Sequence, residues 1–267
     1  MTALADLIAL CPPPPGPVDA DGEVPAVLGT PAAAELIGLA RAYGSGRWLG
    51  WLIVLSPFAA GIEEELAGAH DVTRELAPAI DGVTIGYADG EDLRLVLDDA
   101  GHVTVVAGDG AATPTGLGLP ALLLAFVRGE VAALPAPAEL TGDATIAPYF
   151  QPDPDPARPR RPVVIVVAGG DVVRATRLGA LTAALGAHVR WRSAVAGADA
   201  TDVRWFPALE LELHVVTSAQ RPGVDHLNVW YPTDREAEVG AALRAAVTAA
   251  GFTWQKAVDL RGRPVAY

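Results

Sequence analysis

In Leu-Glu-Leu-Glu-Leu-His-Val, residues 209–215, Glu210, Glu212 and His214 fall on alternate positions. On a strand they share one face, and two carboxylates with an imidazole are an acceptable ligand set for a divalent ion. Earlier in the chain, His188, Arg190 and Arg192 alternate in the same way. If the two strands are neighbours, Arg and Glu pair across the polar face of a half-solvated sheet. No second ligand cluster is visible, so Glu–Arg pairing is the better reading and no metal is expected.

Gly169 and Gly170 follow the apolar run Val163–Val167 and precede a helical pattern, which invites a dinucleotide-binding reading. That fingerprint needs three spaced glycines so that a pyrophosphate can approach the helix N-terminus. Here there are two, and Asp171 behind them would repel phosphate. The five histidines, 70, 102, 188, 214 and 226, are scattered singly, and Cys11 is the one cysteine. No nucleophile–base set, P-loop, paired-cysteine or His-Glu-x-x-His arrangement can be assembled. The chain reads as a binding protein rather than an enzyme, with no cofactor.

Charge separates the two halves. Residues 1–150 hold 20 Asp and Glu against 5 Arg, a net of −15, whereas residues 151–267 hold 12 against 14 Lys and Arg, a net of +2. An acidic front half excludes nucleic acid as its ligand, because phosphate binding needs a basic footprint. It suits a basic protein partner drawn in by electrostatic steering. The candidate contact residues are Glu63, Glu64, Glu65, Asp89, Glu91, Asp92, Asp98 and Asp99. The plainer readings are solubility and, for the aspartates at 89–99, turn chemistry.

These residues need elements to hold them. Thr30 as N-cap, Pro31 at the first helical position and Gly44 past the end bracket a helix with Leu36, Leu39, Ala40 and Tyr43 on one face. The chain then turns through Gly44-Ser45-Gly46 and enters a strand over Trp48–Leu55, which Pro57 stops. A helix over 63–76 follows, then short strands alternating at Val83/Ile85/Tyr87, Leu93/Leu95/Leu97 and Val103/Val105, and a helix over 119–131. This order predicts an α+β domain with an antiparallel sheet. The longest apolar run, Trp48 to Ile62, is interrupted by Gly50, Ser56 and Pro57 and falls short of the roughly 20 residues of a membrane span. The first residues carry Asp6 and no basic cluster, so no signal peptide is expected. With a single cysteine, the expected location is the cytoplasm.

The segments Val27–Pro57, Leu93–Val106 and Leu117–Glu130 together resemble the SUKH superfamily, whose members share the fold of a fungal cell-wall-synthesis regulator of SMI/KNR type. The resemblance rests on Leu28-Gly29-Thr30-Pro31, Tyr43-Gly44-Ser45-Gly46 and Ser56-Pro57, and covers roughly residues 18–133. It implies a SUKH-like binding domain in which Gly29, Pro31, Tyr43, Gly44, Gly46, Trp48, Trp51 and Pro57 define the fold. It further implies an immunity protein that neutralises a polymorphic toxin, often a nuclease, through a protein–protein contact.

Residues 151–162, Gln-Pro-Asp-Pro-Asp-Pro-Ala-Arg-Pro-Arg-Arg-Pro, read as a semi-rigid connector between a domain at 1–150 and a second at 163–267. In the second domain a strand, a helix, two or three strands, a helix with Thr233 and Glu236 as capping box, and a final strand suggest a ferredoxin-like α+β sandwich. That fold leaves its role open. The alternative function is a scaffold or regulator whose second domain senses a small ligand or is an enzyme.

Overall fold

The computed structural model describes residues 2–14, 16–88, 93–134, 148–153, 157–169, 174–186, 189–196, 199–206, 208–218 and 224–267. It is an α+β protein that divides into two compact units, Met1–Ala138 with Pro148–Asp153, and Glu139–Ala147 with Pro154–Tyr267.

The first unit contains α1 (Ala3–Leu10), α2 (Ala34–Tyr43), β1 (Gly46–Trp48), β2 (Leu52–Val54), α3 (Ile62–Leu76), β3 (Val83–Ala88), β4 (Arg94–Leu97), β5 (Val103–Val106), β6 (Ala112–Pro114), α4 (Leu119–Val127) and β7 (Phe150–Pro152). The strands form one antiparallel sheet in the order β6-β5-β4-β3-β2-β1-β7. Short 3-10 turns at Ala26–Leu28 and Pro31–Ala33 lead into α2. Thr30 makes no side-chain cap, and Gly44 ends α2 with φ +69°. Gly44 is required twice over, since a Cβ there would also run into the Val18 carbonyl.

The expected single strand over Trp48–Leu55 is instead a hairpin. Leu49 and Gly50 both take positive φ, the Trp51 N–H donates to the Trp48 carbonyl at 3.1 Å, and Trp48 pairs with Leu52. Trp48 and Trp51 are buried: Trp48 packs 4.7 Å from Tyr43 and 5.0 Å from Phe150, and Trp51 stacks 5.9 Å from Phe126 of α4. Burial is not confined to one face of the sheet. A bulge between Thr84 and Gly86 shifts the register with β4. Thr84, Val96 and Val106 are buried along with Ile85, Leu95, Val103 and Val105.

In the second unit β8 (Arg160–Ala168), α5 (Arg174–Leu185), β9 (Val189–Ala196), β10 (Asp199–Phe206), β11 (Leu211–Ser218), β12 (Val224–Pro232), α6 (Glu236–Ala249) and β13 (Thr253–Asp259) follow in sequence. Among the described residues four strands, not two or three, stand between the helices. The antiparallel sheet runs β13-β8-β12-β11-β10-β9. Leu181 and Leu185 of α5 and Val239, Leu243, Ala246 and Val247 of α6 share one core with Ile165, Leu213 and Val229. Thr233 begins a 3-10 turn rather than a capping box, and Glu236 turns its carboxylate to Arg161 at 2.6 Å. Both ends of the proline-rich stretch are strand: Gln151 and Pro152 pair with β1, and Arg160–Pro162 pair with β12.

Candidate functional site: an acid-flanked groove on the first unit

The site is built on α3. Gly61, with φ +76°, releases the chain into this helix, and Glu63, Glu64 and Glu65 fill its exposed first turn, where carboxylates complement the helix dipole. Leu66 turns inward. Two bonds set the helix antiparallel to β3. The Thr84 hydroxyl donates to Thr73 at 2.9 Å, and the Tyr87 hydroxyl donates to Glu65 Oε1 at 3.2 Å.

A groove of about 340 Å³ lies between α3 and the 3-10 turn Ala26–Leu28. Val27, Leu66, Ala67 and Val83 supply apolar surface, with Glu63 at one end and His70 further along. Val27 is 51% exposed. At the Glu63 end the surface continues onto Glu23, which is exposed.

The structure does not gather the candidate acidic residues into one patch. Successive helical positions are turned by about 100°, so Glu63 lines the groove while Glu65 faces Tyr87. Asp98 and Asp99 lie at the opposite end of β3, because Leu97 pairs with Val83 there. Asp98 Oδ1 accepts from the Ala100 and His102 N–H groups at 2.9 and 2.8 Å, which is turn chemistry, while Asp99 is exposed. Asp89, Glu91 and Asp92 lie outside the described residues. Sequence reading missed Val27, Ala67 and His70. The available signal was helical spacing, since Glu63, Ala67 and His70 fall on one face.

In the second unit Glu210 is not on a strand. It sits before β11 with φ +49°, bonded by Arg158 at 2.7 Å and Arg235 at 3.3 Å. Hydrogen bonding to Glu210 raises the Arg158 guanidinium pKa above its ordinary value. Glu212 and His214 do share a face, 2.5 Å apart. The arginine that meets Glu212 is Arg160 on β8, at 3.1 Å, reaching across β12, whereas β9, the strand of Arg190 and Arg192, is not a neighbour of β11. Arg160 lies under the Trp205 ring at 5.2 Å, and burial lowers its pKa below the usual range. His214 packs 4.4 Å from Trp230. His188, Gly170 and Asp171 lie outside the described residues, and the Gly169 carbonyl accepts from Arg177. Among the described residues no group of three or more His, Cys, Asp or Glu could hold a metal ion.

No protein-family model, curated protein or solved structure matched this chain when compared with it. Among the described residues no helix is long and apolar enough to cross a membrane.

Proposed function

We propose that this chain is an intracellular protein-binding module of the SUKH immunity type, neutralising a basic toxin domain through the acidic surface of its first unit. The observation that carries the reading is the run Glu63-Glu64-Glu65, exposed in the first turn of α3 beside an open apolar groove. Carboxylates so placed steer a cationic partner, and the adjacent apolar surface supplies area to bury once it arrives. The net charge of −15 over residues 1–150 extends that attraction beyond the contact itself. In this reading the second unit, whose β13-β8-β12-β11 order and two helices on one face suit a ferredoxin-like sandwich, takes no part in catalysis.

The test is genetic and biochemical together. Tagged full-length protein is cross-linked in its source cells and the captured proteins are identified. The expected partner is basic, is released by salt, arrests growth when produced alone, and ceases to do so when this chain is co-produced. A captured partner whose toxicity this chain fails to relieve would reject the reading.

A further inference from the structure

The groove carries more information about its occupant than the acidic residues do. Its floor is apolar, with Leu66 and Val83 from the body of the unit and Val27 and Ala67 exposed along the walls. Acid stands at both ends. Glu63 and the adjoining Glu23 mark one end, and Val83 at the other is one strand position from the Asp98–Asp99 turn, with Asp81 two residues before Val83. His70 lines the groove and Arg74 follows one helical turn later. From Glu63 to His70 the helix advances about 10 Å, at roughly 1.5 Å per residue.

We infer that this groove is the docking site for one short segment of the partner, with apolar side chains at its centre and a Lys or Arg at each end. The inference rests on the protein-binding reading above and specifies the chemistry that reading leaves open. The apolar centre covers Val27, Ala67 and Val83. One cation meets Glu63 and Glu23, and the other meets the Asp98–Asp99 end. An acidic segment is repelled at both ends, and a polar segment of equal positive charge leaves the apolar walls wet.

The experiment uses the full-length chain and a phage-displayed library of random 12-residue peptides. Enriched peptides are synthesised and their binding is measured by fluorescence anisotropy. The expected peptides combine two or more large apolar residues with Lys or Arg on both sides. Their affinity should fall at least tenfold for Ala67→Trp, which fills the groove, and for Glu63→Lys. Both changes are at exposed helix positions, and thermal melts check that folding is retained. Glu130→Lys, an exposed charge reversal at the end of α4, should leave binding unchanged. Absence of enrichment, enrichment without cationic flanks, or equal binding to Ala67→Trp would overturn the groove assignment. Repeating the cellular capture with Ala67→Trp separates the two claims. A neutralised toxin retained equally by this variant overturns the groove and leaves the immunity reading standing. A capture lost with Ala67→Trp, from a partner that this chain does not neutralise, keeps the groove and removes the immunity reading.

Discussion

Thr84 of β3 donates its hydroxyl proton to Thr73 of α3 at 2.9 Å, and Thr73 donates its own to the Ala69 carbonyl at 3.0 Å. Both side chains are buried, so this relay pins the helix bearing Glu63 to the sheet. The two threonines are not equivalent. Thr73→Val strands the Thr84 hydroxyl without its acceptor, at a cost of about 1–3 kcal/mol. Thr84→Val removes the donor and leaves Thr73 bonded to Ala69, so the loss should be about 1 kcal/mol or less. Urea unfolding of the two variants checks this, and equal losses would contradict the relay.

Two glycines at the entry to β1 should resist substitution for different reasons. A Cβ at Gly44 meets the Val18 carbonyl in a left-handed backbone, whereas at Gly46 it meets the Gln151 carbonyl and the Phe150 ring across the β1–β7 pair. Ala at either position should cost more than about 1 kcal/mol. Gly61→Ala, with positive φ but open space around the new methyl group, should cost only about 1 kcal/mol. Thermal melts of the three variants would show the ranking; a Gly46→Ala protein as stable as wild type would rule out the close approach.

Glu212 and Arg160 are only 13% and 16% exposed, so removing one charge leaves the other poorly solvated. Arg160→Met should destabilise the second unit by about 2–4 kcal/mol. Pairing it with Glu212→Met should recover part of that loss, since no charge is then left alone. A double-mutant cycle in urea measures the coupling; strictly additive losses would argue against the pair.

Burial pushes the Cys11 thiol up from 9.0 to about 12, and its carbonyl accepts the Tyr43 hydroxyl at 2.6 Å. A raised pKa means that the folded state holds the proton more tightly than the unfolded one. The stabilisation is therefore complete below pH 9 and is lost as pH rises from about 9 to about 12. Cys11→Ala should flatten the alkaline limb of the stability curve. In the wild type the thiol should stay unlabelled by a disulfide reagent at pH 8 and react on unfolding in urea, with rapid labelling of the folded protein as the contrary result.

Reversing Glu63, Glu64 and Glu65 to Lys should slow association with a basic partner at least tenfold at low salt and far less at high salt. The three residues are exposed, so the fold persists, although loss of negative charge at the helix N-terminus should cost about 1 kcal/mol. Stopped-flow association rates across a salt series give the answer; a rate insensitive to both reversal and salt would remove steering from the account.

Much of the architecture is legible locally. The α2 face of Leu36, Leu39, Ala40 and Tyr43 is buried as its spacing implies, and Gly44 stops the helix where a left-handed residue is needed. Alternation at Leu95/Leu97 and Val103/Val105 marks strands, because side-chain period is a property of a few consecutive residues. The acidic character of the first 150 residues is equally a matter of composition. What lay beyond the sequence is everything that depends on which distant segments meet. Leu49 and Gly50 bend an apparent strand into a hairpin. Glu212 finds Arg160, 52 positions away, because the sheet order sets β8 and β11 on either side of β12 and the arginine reaches across it. The groove exists only where residues 25–27 come to lie beside α3 and the start of β3. Local periodicity determines which face of an element is apolar, whereas strand order and the cavity between two elements follow from how those faces pack together, and no short stretch of sequence encodes that packing.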